Sequence, residues 1–257
     1  MKKLFTNSNI LVTGGVGSIG TEIVKNLLNY KPRSIRVFDN NETGLFDLEK
    51  EIDSKKIRTF IGDIRDKSRL KRAVENVDLV FHTAALKHVP LSEYNPFEAV
   101  KTNVVGTQNL IDVAIDEEVN KFITISTDKA TNPINVLGAT KLLAERLTVS
   151  ANFYKGGRKT AFSCVRFGNV FNTRGSVIPL FQSQISNGKP ITITDPKMTR
   201  FVMKIREAID LVFKAAVLAA GGEVFIFKMP AFSLKDLVDV LMEKSKQQGI
   251  KNIKLKK

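Results

Sequence analysis

Residues 11–20 read Leu-Val-Thr-Gly-Gly-Val-Gly-Ser-Ile-Gly, in the continuation of an apolar run that begins at Asn9. The run ends in the spacing Thr13-Gly14-x-x-Gly17-x-x-Gly20 and opens at once into a helical pattern over 21–28. This predicts a strand, a tight turn and a helix N-terminus. Gly14 permits the sharp turn off the strand, Gly17 lets the backbone approach a phosphate, and Gly20 lets the helix pack on the sheet. The first N–H groups of the helix, around Ser18 and Ile19, then face an anion. A dinucleotide pyrophosphate is the ligand such a turn takes, so a nicotinamide cofactor, NAD or NADP, is expected on Gly14, Gly17, Ser18, Ile19 and Gly20. Asp39 lies about 25 positions beyond Gly14, near the expected offset of about 20.

The same rhythm runs on from there. Strands are predicted over 34–38, 57–61, 77–82, 121–126 and 160–166. Helices are predicted over 43–52, 66–74, 96–117 and 136–150. Short Val/Ile/Leu/Phe-rich strands alternating with amphipathic stretches imply a parallel sheet covered on both faces. Right-handed crossovers make it doubly wound, an α/β Rossmann architecture. After Gly168 the rhythm breaks. Residues 169–200 hold Pro179, Pro190 and Pro196 and read as loop-rich. Helix returns over 205–220, strand over 223–227, and helix over 233–244 with Ser233 as its cap. The expected division is a dinucleotide-binding domain over 1–168, with 205–227 folding back onto it, and a small C-terminal substrate-binding lobe within 169–257.

Composition narrows the partners. The formal charge is +14, and residues 243–257 carry +5 of it, from six lysines and one glutamate. Nothing resembles a nucleic-acid module, so the basic balance points to an acidic small substrate such as a nucleotide diphosphate. Cys164 is the one cysteine, which fits a reducing, cytoplasmic compartment. It reads as a small buried hydrophobe rather than a reactive thiol. No secretory leader is expected at the start. The long apolar stretch 209–227 carries Asp210, Lys214 and Glu223, so no membrane span is expected. No metal-ligand set is expected.

In a doubly wound sheet the ligand lies at the carboxyl ends of the strands. Asp39 there is placed to accept from the adenosine ribose hydroxyls and to repel a 2′-phosphate, favouring NAD; Arg36 nearby works against that inference. Asp63 either meets the adenine amine or caps the next helix. Thr83, Ala84 and Ala85 are small enough for a dinucleotide to lie close. Asn103 is a further cofactor candidate or a plain helical polar position.

The fifth strand ends in Ser-Thr-Asp-Lys-Ala (126–130), and the next helix follows in Asn-Pro-x-Asn-Val-x-Gly-Ala-Thr-Lys (132–141). With Thr-Gly-Gly-x-Gly-Ser-Ile-Gly (13–20), Ala-Ala-Leu-Lys-His-Val-Pro (84–90), Arg-Phe-Gly-Asn-Val (166–170), Arg-Gly-Ser-Val-Ile-Pro-Leu-Phe (174–181) and Thr-Asp-Pro-x-Met-Thr-Arg-Phe (194–201), the chain resembles the extended short-chain dehydrogenase/reductases. Within them it is similar to the UDP-N-acetylglucosamine 4,6-dehydratases, the CapD-like polysaccharide biosynthesis proteins. The resemblance implies transient oxidation at sugar C4, elimination of water across C5 and C6, and hydride return to C6. It implies Lys129 as the base at C5, Asp128 as the acid for the departing hydroxyl, and Lys141 on the nicotinamide ribose. Lys129 must then be neutral and Asp128 protonated, each against its ordinary range.

Many members of the superfamily carry a tyrosine four residues before that lysine, on the same helix face. Here Leu137 stands there, and Thr127 or a water held by Lys141 is the alternative at the C4 hydroxyl. Lys87 and His88 are expected to bound the sugar. The family words that hold Asn169, Arg174 and Arg200 go with the nucleotide half, where arginine suits a diphosphate. The resemblance also implies a UDP-sugar substrate and a homo-oligomer. The family's chains run beyond this one through an Arg-Pro-Gly-Glu-Lys-like segment, so a truncated lobe is expected. An epimerase or reductase, and a nucleotide-holding protein without turnover, remain the other readings.

Overall fold

The computed structural model describes residues 1–171, 177–193, 195 and 197–247, and the backbone of 255–256. The chain divides into two units, Met1–Phe167 with Ile209–Phe227, and Gly168–Ala208 with Lys228–Lys257.

In the first unit, β1 (Asn9–Thr13), β2 (Ser34–Asp39), β3 (Ile57–Ile61), β4 (Leu79–His82), β5 (Lys121–Thr127), β6 (Ala161–Phe167) and a strand over Val224–Ile226 form one sheet. Its order is Val224–Ile226, β6, β5, β4, β1, β2, β3, and every pairing is parallel. The sheet therefore reverses winding between β1 and β4, the place where such folds bind nucleotides. Alternation along the strands assigns the two faces. Leu11, Val80, Phe122 and Phe162 stand in one register row. They join a core with Leu70, Ala73, Leu110 and Ala114 from the helices. One residue along, Phe81 turns to the other face, where Phe5 and Phe213 pack against it and Tyr30 packs on both of those rings. Each such side chain, once buried, contributes about 1.5–3 kcal/mol.

The helices in chain order are α1 (Lys2–Phe5), α2 (Ser18–Leu27), α3 (Glu42–Ile52), α4 (Lys67–Val74), α5 (Val89–Tyr94), α6 (Pro96–Val100), α7 (Gly106–Asp116), α8 (Val136–Tyr154), α9 (Val177–Ser186), α10 (Ile205–Leu218) and α11 (Leu234–Gln247). Asn41, Asp66 and Asn135 cap α3, α4 and α8 by accepting from the N–H groups of Gly44, Arg69 and Gly138. Lys121, at the start of β5, donates to the carbonyls of Ala216, Val217 and Ala219 at 2.8, 3.0 and 2.9 Å. That closes the C-terminal end of α10 against the base of the sheet.

The structure corrects three expectations. The helical stretch over 96–117 is α6 and α7 joined by a π turn at Lys101–Val105. The fourth strand begins at Leu79 rather than at 77. The loop-rich reading of 169–200 misses α9, because Pro179 lies in the helix's first turn, where no N–H is required of it.

The second unit has its own apolar core of Phe181, Ile185, Ile191, Ile193, Leu234, Val238 and Leu241. A small sheet of Asn169–Val170, Thr199–Met203 and Ala231–Ser233 belongs to it. Ser233 accepts from the Asp236 N–H, capping α11 as expected.

Candidate active site

Because the strands are parallel, the carboxyl ends of β1, β2, β4 and β5 share one edge. The glycine turn, Asp39, the segment after His82 and Thr127–Lys129 all lie there. Gly14 has φ +66°, and a Cβ on it would stand 2.6 Å from the Ala84 nitrogen. A Cβ on Gly20 would stand 2.3 Å from the Gly14 carbonyl oxygen. A side chain at either position would collide with backbone, so the turn packs directly on Ala84 and on the first turns of α2. Gly17 is the N-cap of α2, so Ser18 and Ile19 form its first turn.

Asp39 accepts from the Val16 N–H at 3.2 Å and from the Asn41 N–H at 3.1 Å. It thus joins the end of β2 to the glycine turn. Arg36 is engaged elsewhere: one guanidinium nitrogen donates to the carbonyls of Ala73 and Glu75, and the group lies over Phe60. Asp63 does not cap the following helix; Asp66 does. The Asp63 carboxylate instead grips Arg65 at 2.6 Å, which holds its pKa below the usual range, and Arg65 continues to Glu98.

Asn103 lies at the middle of the Lys101–Val105 turn. It is buried inside the π turn. Its Oδ1 accepts from the Leu86 N–H at 2.8 Å, and its Nδ2 donates to the Leu86 carbonyl and to Thr140 Oγ1, both at 3.0 Å. Its amide is spent on clamping the segment after β4 to α8. Lys87 and His88 follow that clamp and are exposed. Glu93 of α5 then accepts from the Val136 N–H at 2.7 Å, so the same segment is tied to the first turn of α8.

Thr127, Asp128 and Lys129 form one cluster. Thr127 Oγ1 donates to Asp128 Oδ1 at 2.9 Å, and Lys129 Nζ donates to the same oxygen at 3.0 Å. The Lys129 and Asp128 side chains are 33% and 24% exposed, open enough to be reached and dry enough for the pair to be felt. Lys141 is buried on α8 and donates to the Ile125 carbonyl at 2.6 Å. Burial lowers its pKa to about 8. Leu137, one turn earlier, is buried as well. Cys164 is buried too, and burial raises its thiol to about 12, so it is no nucleophile.

Asn169 and Arg200 belong to the second unit. Asn169 pairs in register with Val202, and Arg200 donates to the Thr199 carbonyl at 2.9 Å and contacts the Met198 sulfur. Arg174 lies outside the described residues.

Two groups went unnoticed in the sequence. His82 is buried, with Nδ1 2.8 Å from Thr13 Oγ1 and Nε2 2.9 Å from Thr107 Oγ1. A histidine ending an apolar strand, one residue before Thr83-Ala84-Ala85, is the signal that could have drawn attention to it. Glu145, which is buried, and Arg166, which is partly buried, pair between α8 and β6, with Arg166 Nε donating at 2.8 Å.

Comparison with known proteins follows the same lines. A family model described as polysaccharide biosynthesis protein matches residues 10–257. A Methanocaldococcus jannaschii protein named as an uncharacterized membrane protein is 68% identical over 243 residues, covering 95% of this chain and 73% of its own. A UDP-N-acetylglucosamine 4,6-dehydratase (inverting) of Campylobacter jejuni is 45% identical over 240 residues, 93% and 72% of the two chains. A Rickettsia rickettsii protein named UDP-glucose 4-epimerase is 38% identical over 244 residues, again 93% and 72%. The X-ray structure of Pen from Bacillus thuringiensis superimposes with a TM-score of 0.96 at 48% identity, covering 99% of this chain and 79% of that one. Among the described residues, no helix is long and apolar enough to cross a membrane. The chain belongs to the polysaccharide biosynthesis protein family.

Proposed function

We propose that this chain is a nucleotide-sugar 4,6-dehydratase. It converts UDP-N-acetylglucosamine into a 4-keto-6-deoxy sugar nucleotide for surface-polysaccharide synthesis, with NAD as resident cofactor. The observation that carries the reading is the adjacent Asp128–Lys129 pair at 3.0 Å, on the sheet edge that also holds the glycine cradle. The Campylobacter relative supports the substrate.

The residues present fit the dinucleotide. Gly14 and Gly20 let the turn pack directly on Ala84 and α2, and a Cβ on Gly17, the N-cap of α2, would meet nothing but the Gly14 carbonyl oxygen within 4 Å, so the helix N-terminus is open to a phosphate. The N-terminus of α2 suits the pyrophosphate, and Asp39 suits ribose hydroxyls. What the bound cofactor supplies is reversible hydride acceptance, from C4 and back to C6. Lys141 is assigned to the nicotinamide ribose and to the negative charge that develops on the C4 oxygen. With Leu137 in place of a tyrosine, the Thr127 hydroxyl is assigned to orient the C4 hydroxyl, whose proton leaves to a water held by Lys141 as the hydride departs.

Lys129 and Asp128 share one proton across their contact. Moved from ammonium to carboxylate, it leaves a neutral amine and a carboxylic acid. Those are the base for the C5 proton and the acid for the C6 hydroxyl. Exclusion of water by the substrate favours this neutral form, because desolvation penalises both charges. After elimination Lys129 is an ammonium whose protons exchange with solvent, and it delivers one of them to C5, while the proton released at C4 restores Asp128. Lys87 and His88 are assigned to the sugar. Asn169 and Arg200 of the second unit, with Arg174, are assigned to the nucleotide half.

A cytoplasmic homo-oligomer is part of the same reading. Its supports are the buried lone cysteine and the exposed apolar side chains Leu91, Tyr94 and Phe97 on neighbouring helices.

Incubation with UDP-N-acetylglucosamine and mass detection tests the function. Loss of one water with solvent deuterium at C5 is expected. A C4 epimer of unchanged mass would instead favour the epimerase reading that the Rickettsia relative supports. Tight NAD binding with no product would leave a nucleotide-holding protein.

A further inference from the structure

The buried imidazole of His82 has no part in the chemistry above, yet its surroundings define it closely. Thr107 Oγ1 donates to the Asn103 carbonyl at 2.7 Å. A hydroxyl has one proton, so towards His82 it can only accept, and His82 Nε2 must carry the hydrogen. Burial, with the Lys141 charge adding to it, lowers the His82 pKa to about 3. Nδ1 is therefore bare and accepts from the Thr13 hydroxyl. One chain of hydrogen bonds thus runs from the last residue of β1, through the end of β4, to the π turn.

At the π turn the chain meets the clamp. Asn103, whose carbonyl ends the relay, holds both polar groups of the Leu86 backbone and the Thr140 hydroxyl. Thr140 immediately precedes Lys141. π turns are an uncommon backbone geometry, concentrated at functional sites. This one turns its central side chain inward, onto a segment that has no regular structure of its own.

We propose that His82 is a positioning residue. By donating from Nε2 to Thr107 it fixes the π turn, so that Asn103 holds the Leu86 segment, with Lys87 and His88 beyond it, against the helix that bears Lys141. The kinetic part of this proposal rests on the dehydratase reading; the structural part does not.

Two substitutions separate the two halves of the imidazole. His82→Gln keeps an amide N–H within reach of Thr107 and gives up Thr13. His82→Asn keeps an acceptor for Thr13 and gives up Thr107. In the full chain with NAD, the Asn variant is expected to lose about tenfold in kcat with KM for the sugar nucleotide changed less, as the loss of one buried hydrogen bond implies. Hydrogen exchange at the Leu86 amide should quicken by a similar factor. The Gln variant should recover most of both. A purely structural histidine would lower the melting temperature in both variants, with kcat below that temperature and Leu86 protection left as in the parent. That result, or a Gln variant as impaired as the Asn variant, overturns the proposal.

Should His82→Asn fail to fold, Thr107→Val keeps the volume and removes the same acceptor. It is expected to show the same loss at Leu86, and unchanged Leu86 protection would count against the relay. If the parent chain makes no dehydrated product, the exchange measurements still decide the structural claim, so the two readings fail separately.

Discussion

Lys129 Nζ lies 3.0 Å from Oδ1 of Asp128, its neighbour in the chain, and Thr127 donates to that same oxygen. Adjacent residues in an extended strand point to opposite faces. Here they converge because β5 ends at Thr127 and a 3₁₀ turn, Asp128–Ala130, begins. In water such a contact favours ammonium and carboxylate, the reverse of what a C5 base and a C6 acid require. The single proton between them resolves this, since one transfer makes both working forms together. Lys129→Ala is therefore expected to abolish exchange of the C5 proton with solvent and to lower turnover by about 10²–10⁴-fold, the usual range for a lost general base. Exchange at the parent rate in deuterium oxide, followed by NMR, would remove Lys129 from that role.

Asp39 and Arg36 stand on the same strand but answer different partners. Asp39 faces the glycine turn through the Val16 N–H, while the Arg36 guanidinium is held by the Ala73 and Glu75 carbonyls. The objection that Arg36 could welcome a 2′-phosphate thus loses its force. A carboxylate close to that phosphate costs about 1–4 kcal/mol, depending on screening. NADP is accordingly expected to bind about tenfold more weakly than NAD, or worse, and Asp39→Ala to narrow the gap. Titration calorimetry with both dinucleotides measures it; equal affinities in the parent would contradict the assignment.

The parallel sheet was legible because its strands are short apolar runs closed by glycine, aspartate or a helix cap. Ile57–Ile61 has the bounds its residues predict. The cofactor edge was legible because parallel strands bring their carboxyl ends together whatever their order. The π turn was not, since Lys101–Val105 continues the apolar spacing of the helices on either side. The partners of Asn103 were not legible for the same reason: they include the Leu86 backbone, 17 residues away, and no local pattern reports that. Helix α9 was hidden by Pro179, a breaker inside a helix but harmless in a first turn.

Lys141 makes stability depend on pH in a stated direction. Its pKa is about 8 in the folded chain against 10.5 ordinarily. Between those values the unfolded chain still holds a proton that the folded chain has released, so stability rises as pH climbs through that window. The gain from this group is of order 3 kcal/mol. Urea denaturation across the window should show a shallower rise in Lys141→Met than in the parent. Identical slopes would mean that the ammonium is not buried in solution. Turnover is expected to decline over the same limb, as the charge assigned to the C4 oxygen is lost.

Glu145 and Arg166 supply the remaining prediction. Arg166 Nε donates to Glu145 Oε1 at 2.8 Å and its other nitrogens reach Glu145 Oε2 and Thr131, so the pair joins α8 to β6 and to the residue just past the 3₁₀ turn. The Glu145 and Arg166 side chains are only 3% and 15% exposed. Removing one partner leaves the other charge unmatched, at a cost of up to about 3–5 kcal/mol where that charge is fully buried and less for the partly buried Arg166. Arg166→Ala, which strands the buried Glu145 carboxylate, should therefore destabilise the chain by about that much in urea, and Glu145→Ala by less. Replacing both residues with apolar side chains of similar volume should recover much of the loss, because neither charge is then stranded. The Thr131 contact adds a kinetic consequence: even where the double variant is folded, turnover should stay below the parent's, since the turn carrying Asp128 and Lys129 has lost its anchor. A double variant with parental turnover would show that the pair serves the fold alone.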